Sequence, residues 1–336
     1  MSACLELGKQ GYGCMGLTAF YGKAVANEAG IAVMKAAYDA GCRLFDTAQI
    51  YQQFGEQVPN TYRFNEELVG AFVKTVDRDT VVIATKYFPR RDGGLRSGEY
   101  VYSFDMLAKA TEESLERLQI DCIDLYYIHR MVPESVVSVE QLASDMQKLI
   151  DAGKIKAWGV SEAAPDEIRR AHAVTPLAAV QQEWSLFARD LEADIVPTCQ
   201  ELKIPIVAYS PVARGMLSGS LTTPPKDWRS SIPYLTEENI NANRVLVAKI
   251  EEISKSKNMT ASQICLAWVQ AKGGIPIPGT TNVEHATSNH GSTEITLTHD
   301  DMIELEAATA GVQGLRGDAG YMKSSYKGRE ARAINT

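Results

Sequence analysis

VVIATKY, residues 81–87, is a run of apolar, β-branched and aromatic residues that carries Lys86 next to its end, and that ending decides how the whole chain is read. Such a composition suits a buried strand. An ammonium at the end of a buried strand is costly unless a partner receives it. The strand therefore points to a site as well as to a core. Two runs of the same kind flank it in the chain: RLFDTA (43–48) carries Asp46, with Tyr51 just beyond, and DLYYIHR (124–130) carries His129. A β/α barrel gathers its chemistry at the C-terminal ends of its strands, so Asp46, Tyr51, Lys86 and His129 are expected to share one site.

Outward from these runs, strand-like stretches alternate with helical periodicity, the pattern of a parallel α/β fold. FNEELVGAFVKTV (64–76) sets Leu68, Val69, Phe72, Val73 and Val76 on one stripe, and SFDMLAKATEESLERL (103–118) sets Leu107, Thr111, Leu115 and Leu118 on one face. VEQLASDMQKLIDAGKI (139–155) has Gly153 placed as the C′ residue of a helix, and Pro165 opens the helix PDEIRRAHA (165–173). AWGVSE (157–162), AAVQQEW (178–184), IPIVAYSPV (204–212) and GGIPIPGTT (273–281) are further strands. With a first strand near Gly11 to Leu17 the total is eight, the number that closes a (β/α)8 TIM barrel. Such a barrel takes roughly 250 residues before insertions. The expectation is one barrel domain over 1–311, with extended loops at its C-terminal face, followed by a tail over 312–336.

Residues 52–64, 88–102 with the pair Gly93-Gly94, and 214–243 read as the inserted loops. Thr298-His299-Asp300-Asp301 reads as a capping box opening the last helix. The tail is glycine-rich and basic, and either lies over the barrel mouth or is disordered. Gly11, Gly13 and Gly16 spell GxGxxG, but that fingerprint works only between a buried strand and a helix. LELGKQ (5–10) is a poor strand and TAFYGKAVAN (18–27) follows where the helix should start, so these glycines read as a barrel strand with close backbone approach.

The 336 residues, 45% hydrophobic and 23% charged, suffice for a large core without disulfides or metals. A net charge of −8 opposes nucleic-acid or anionic-membrane partners. The six cysteines (Cys4, Cys14, Cys42, Cys122, Cys199 and Cys265) form no CxxC pair or zinc spacing, which fits a reducing, cytosolic compartment and no metal site. MSACLELGKQ (1–10) lacks the regions of a signal peptide, and no apolar stretch approaches the ~18 residues of a membrane span. The chain is expected to be soluble, cytoplasmic and directed at a small molecule, its oligomeric state left open. No YxxxK occurs, which removes the short-chain dehydrogenases.

The phrases GYGCMGL (11–17), FDTAQIY (45–51), NEELVG (65–70), ATK (84–86), SLERLQIDCIDLYYIHR (114–130), GKIKAWGVSE (153–162), AYSPVARGMLSG (208–219) and IPIPGTT (275–281) together resemble the aldo-keto reductase superfamily over nearly the whole chain. Residues 159–192 resemble the branch that includes fungal pyridoxal reductases and plant perakine-reductase-like enzymes. The resemblance implies a TIM barrel and NADPH-dependent reduction of aldehydes or ketones, reversible to alcohol oxidation, with pyridoxal among the candidate substrates. It also implies coenzyme bound at the barrel mouth without a Rossmann domain.

Reducing a carbonyl requires hydride at carbon and a proton donor for the charge that grows on oxygen. A tyrosine of pKa about 10 is a weak donor at neutral pH. Lys86 beside Tyr51 is expected to lower that value, with Asp46 holding Lys86 charged and His129 orienting the substrate carbonyl. General acid catalysis of this kind is worth ~10² to 10⁴ in rate. By resemblance, Ser161 and Gln181 hold the nicotinamide carboxamide together with Glu162, which stands where most relatives have Asn, and Tyr209 stacks on the ring. Ser210, Pro211, Arg214, Gly215 and Leu217 match the pyrophosphate loop, and Gly279, Thr280, Thr281 and Asn289 the adenosine end. Asn282 and His285 stand where relatives offer Lys or Arg to the 2′-phosphate; each charge-assisted bond lost there is worth roughly 1.5–3 kcal/mol, so NADPH is expected with NADH left open. Phe20, Tyr21, Phe54, Tyr87, Phe88, Met131 and Trp184 are expected to line a pocket for aromatic or hydrophobic carbonyl compounds. A different class also fits: related barrels serve as nucleotide-binding regulatory subunits of potassium channels.

Overall fold

The computed structural model describes residues 5–93 and 98–326. Eight parallel strands form one sheet in chain order: β1 (Gly11–Gly13), β2 (Leu44–Asp46), β3 (Val82–Tyr87), β4 (Ile123–Ile128), β5 (Ile155–Ser161), β6 (Ala179–Glu183), β7 (Ile206–Tyr209) and β8 (Gly274–Pro276). The helices that cover it are α1 (Asn27–Asp39), α2 (Asn65–Val73), α3 (Phe104–Leu118), α4 (Val139–Asp151), α5 (Pro165–Val174), α6 (Ile195–Leu202), α7 (Glu237–Ser256), α8 (Ala261–Ala271) and α9 (Val283–His290). This is the (β/α)8 TIM barrel expected from the strand count.

Glycine makes the closure possible. The Gly13 amide donates to Pro278 O at 3.1 Å, joining the first strand to the segment after the last. A Cβ on Gly13 would lie 2.8 Å from Ile277 O, and one on Gly11 would lie 2.8 Å from the Ile277 side chain. The GxGxxG spelling therefore serves close packing at the seam, as its sequence context indicates.

Alternation along each strand sorts side chains between the barrel interior and the helix layer. Leu44, Ala84, Leu125, Ala157, Ala179, Val207 and Ile277 form an inner apolar cluster, joined by Leu5 and Leu7 of the N-terminal segment. One step further along the strands, Asp46, Lys86 and Gln181 point into the same interior. Gly159 leaves room there for Tyr127, whose ring would lie 2.6 Å from an added Cβ. The larger outer core packs the other faces of the strands against the helices.

The helix ends follow local chemistry. Ser103 and Ser138 accept from Met106 N and Gln141 N, caps worth about 1 kcal/mol each. Gly153 follows α4 in the left-handed region at φ 68°, and Pro165 is the first residue of α5. The Thr298 capping box opens α10 (His299–Thr309), but a further short helix, α11 (Ala319–Ser324), follows, so α10 is not the last.

The loop expectations need three amendments. Residues 52–64 are fastened by a Gln52–Phe64 bridge, and within 88–102 Arg90–Arg91 pairs antiparallel with Tyr100–Val101, while residues 94–97, Gly94 among them, lie outside the described residues. Of residues 214–243, the last seven belong to α7, where the polar run ENINANR hides a buried face that begins with Ile240 and Asn243. Residues 312–326 lie across the C-terminal end of the barrel, and 327–336 and Cys4 fall outside the described residues. No helix among the described residues is long and apolar enough to cross a membrane, and no group of potential metal ligands occurs among them.

Candidate active site

Lys86 reaches into the barrel from β3 and forms an ion pair with Asp46 of β2, and its ammonium also donates to Thr47 O at 2.8 Å. Both side chains are buried, and the second Asp46 oxygen accepts from Gln181 Nε2 at 2.8 Å. Burial pushes the Asp46 carboxyl up and the Lys86 ammonium down, each toward neutrality, while their mutual attraction and hydrogen bond oppose that drift. Tyr51 stands over the pair, with Lys86 Nζ 5.1 Å from its ring centroid. The His129 ring lies edge-on to Tyr51 at 5.7 Å between centroids. The four residues expected to converge do so.

The loop bearing Tyr51 is fastened from below. Tyr51 O accepts from the Asn65 amide at 2.8 Å, and the buried Asn65 side chain accepts from Thr47 Oγ1 while donating to Cys14 O and Thr18 Oγ1. Asn65, which the sequence offers only as part of the runs FNEELVGAFVKTV and NEELVG, is thus a positioning residue.

The expected effect of Lys86 on the resting phenol is not found. Burial raises Tyr51 above the ordinary tyrosine value, the Asp46 charge raises it further, and Arg130 and Arg214 pull it down. The resting phenol therefore holds its proton more firmly than a free tyrosine. Burial, together with the charges of Arg130 and Lys86, depresses His129 well below its ordinary value, so its imidazole is neutral, and its buried Nδ1 has no hydrogen-bond partner.

A second cluster fills the other side of the mouth, at the ends of β5, β6 and β7. Ser161 lies opposite Gln181, and Glu183 opposite Tyr209. Glu162 receives Arg316 through both oxygens, at 3.0 and 2.9 Å, and the Tyr209 hydroxyl at 2.7 Å. Glu183 receives Arg214 at 3.0 Å, Arg316 at 3.1 Å and the Tyr321 hydroxyl at 3.0 Å. Burial alone would raise Glu162, but the Arg316 guanidinium holds it down at about 2. Arg130 donates to His129 O at 2.7 Å and reaches Ser161 Oγ at 3.5 Å, linking the two clusters.

The remaining expected residues divide. The turn after β7 has left-handed backbone at Ser210 (φ 50°), Arg214 (φ 53°) and Gly215 (φ 100°), with Pro211 between and Leu217 fully buried beneath. Arg214, expected at the pyrophosphate, forms an ion pair with Glu183 at the mouth. Thr280 O accepts from Tyr12 Oη at 2.5 Å, and Asn282 Oδ1 caps α9 by accepting from His285 N at 2.9 Å. Gly279, Thr281 and His285 are exposed nearby, with Asn289 half-buried on the same helix. In the pocket, Phe20 gathers Tyr51, Phe54 and Trp228 at centroid distances of 6.2, 5.9 and 5.9 Å. Phe88 meets His129 at 5.5 Å, Arg229 lies over Tyr21, and Met131 is buried close by in sequence. Tyr87 and Trp184 are corrections: Tyr87 packs on Tyr102 and Trp184 on Trp268, both in the helix-facing layer. Each directly follows an inward-pointing residue, Lys86 or Glu183, and strand alternation turns it outward.

Arg130, Glu183, Trp228, Arg316 and Tyr321 were not anticipated. Glu183 carries a usable signal, two positions after Gln181 on one strand and hence on the same face. Arg316 and Tyr321 carry none, because a glycine-rich tail has no periodicity to place them.

A model described as the Aldo/keto reductase family matches residues 11–310. The chain is 39% identical over 305 residues to a protein of Glycine max named Probable aldo-keto reductase 1, covering 89% of this chain and 85% of that protein. Among solved structures, the glycerol dehydrogenase of Gluconobacter oxydans superimposes with a TM-score of 0.79 at 24% identity, over 93% of this chain and 95% of that one. An aldo-keto reductase from Klebsiella pneumoniae, solved in complex with NADPH, superimposes with a TM-score of 0.69 at 24% identity over the same shares.

Proposed function

Because this chain belongs to the aldo/keto reductase family, we propose that it reduces an aldehyde or ketone to the alcohol with a nicotinamide coenzyme, NADPH in preference to NADH. The single observation that carries this reading is the convergence of the buried Lys86–Asp46 pair, the Tyr51 phenol and the neutral His129 imidazole at one end of the barrel. A relative of known structure holds NADPH, and the residues present fit such a coenzyme. Ser161, Gln181 and Tyr209 line neighbouring strand ends beside the tetrad, and Arg214 Nε is buried there without a partner.

When bound, the reduced coenzyme supplies the hydride. The chain's own task is the proton and the orientation. Tyr51 holds a proton at Oη under ordinary conditions, and burial makes its phenolate costly. Donation to a developing alkoxide is then favoured only where that phenolate meets a cation, and Lys86, kept charged by Asp46, stands within reach of the ring. Neutral His129 stands edge-on to Tyr51, which suits a hydrogen bond to the same carbonyl oxygen that Tyr51 protonates. The aromatic wall of Phe20, Phe54, Phe88 and Trp228 suits a flat or hydrophobic substrate. Pyridoxal is the candidate that the 159–192 segment favours.

The test follows NADPH and NADH oxidation with a panel of aldehydes that includes pyridoxal, comparing wild type with Tyr51→Phe. Turnover by wild type that falls by ~10² to 10⁴ in the variant, with coenzyme binding kept, is the expected result. Tight coenzyme binding with no turnover on any carbonyl compound would instead favour a nucleotide-sensing subunit.

A further inference from the structure

The strap formed by residues 312–326 makes its main polar contacts on the seat assigned above to the nicotinamide. The Tyr321 hydroxyl meets both the Tyr209 hydroxyl and Glu183. The Tyr321 ring lies among three guanidiniums, with Arg130, Arg214 and Arg316 carbons 5.6, 5.2 and 5.7 Å from its centroid, and faces Trp228 at 6.4 Å. A flat aromatic ring with a polar edge is thus hydrogen-bonded to Tyr209, the residue assigned above to the nicotinamide.

The strap is fixed on both sides of its short helix: Ser325 and Tyr326 on the far side are buried, with the Tyr326 hydroxyl 3.4 Å from Asp194 Oδ1. The backbone of Gln313 is clamped from both sides by Asn243, at 2.8 and 2.9 Å, and Leu315 O accepts from Tyr234 N at 3.3 Å. Gly314, at φ 90°, has backbone of Tyr234 where a Cβ would go, 2.6 Å away. Beyond that anchor, α11 has six residues and buries none of them, too short to persist as a helix without its docking contacts. The docked turn depends on Gly317, where a Cβ would lie 2.1 Å from the Tyr321 ring.

We infer that residues 316–324 are a self-docked plug, with Tyr321 in the nicotinamide seat and Arg316 as its latch on Glu162 and Glu183, and that coenzyme binds only after the plug lifts out between the anchors at 313–315 and 325–326. This rests on the reductase reading above. Release of Arg316 would also free Glu162 to accept from a carboxamide NH2, so the carboxylate that latches the plug becomes the acceptor for the ligand that replaces it. Arg316 is in this sense a positioning residue.

The test is stopped-flow binding of NADPH to wild type, Gly317→Ala and Arg316→Met, together with hydrogen exchange of the 312–326 peptide. Gly317→Ala touches no residue of the mouth other than the Tyr321 ring, so it loosens the plug without altering the seat. In wild type the observed binding rate should saturate with NADPH concentration, and both variants should raise the limiting rate at least tenfold. Amide exchange over 316–324 should increase when NADPH saturates the wild type. Unchanged or greater protection in the presence of NADPH, with both variants binding within twofold of wild type, overturns the plug but leaves the reductase reading standing. No binding of NADPH or NADH by wild type or either variant overturns both.

Discussion

The two halves of the barrel mouth are built differently. On the β2–β4 side, Asp46, Lys86 and His129 come from strand ends or the residue just past one, and with Tyr51 they span fewer than 90 residues of chain. Their pairing closes inside the barrel. On the β5–β7 side, Glu162 and Glu183 also sit at strand ends, but the cations that neutralise them, Arg214 and Arg316, arrive from a turn and from the C-terminal strap. A charge pair held by two strands is as permanent as the sheet, whereas a pair completed by a short strap can open at the cost of that strap's contacts alone. The first half suits chemistry that needs fixed geometry, and the second suits entry and exit.

Lys86→Met strikes the permanent half and should have the largest effect. It leaves the buried Asp46 carboxylate with Gln181 as its remaining side-chain partner, which should cost about 3–5 kcal/mol of stability. A urea titration measures this, and a loss below 1 kcal/mol would mean that Asp46 is neutral at rest. Glu162→Gln strikes the other half. Because Arg316 keeps Glu183, the stability loss should be smaller, about 1–3 kcal/mol, with the change in carbonyl reduction appearing in the coenzyme KM more than in kcat. An equal fall in kcat at unchanged KM would place Glu162 with the chemistry and erase the contrast.

The pH profile sharpens the same division. Tyr51 is raised above its ordinary value, so it stays protonated up to at least about pH 10, and His129 is lowered, so it stays neutral down to at least about pH 6.5. Neither Tyr51 nor His129 should therefore contribute a limb to reductive kcat/KM between those limits, and a limb inside the window that is traced to either of them by its shift in His129→Gln or its loss in Tyr51→Phe would refute the assignment. Smallest of all, Trp228→Ala should raise the KM for aromatic aldehydes about three- to tenfold, the worth of one lost aromatic contact, and leave small aliphatic aldehydes nearly unchanged. A uniform loss across both substrate classes would make Trp228 a support for the strap.

Lys86 was readable because an ammonium at the end of VIATKY has no cheap alternative to pairing, and barrel geometry names the neighbouring strand ends as its partners. Tyr87 and Trp184 were misplaced although the information was present: strand alternation turns each away from the mouth once Lys86 and Glu183 point into it. Arg214 matches the pyrophosphate loop by resemblance alone, and only the tertiary structure shows the buried carboxylate of Glu183 beside the same guanidinium.

Local composition and period, acting through strand and helix formation, determined the eight-stranded barrel and the end of it that carries the tetrad. Both depend on contacts close in sequence or repeated regularly along it. The state of the Tyr51 proton, the neutralisation of Glu162 and the seating of Tyr321 were decided only by tertiary structure. Burial and charge pairing depend on which distant groups are brought within a few ångströms, and a tail whose Arg316 lies 154 residues after Glu162 leaves no periodic trace of where it will land.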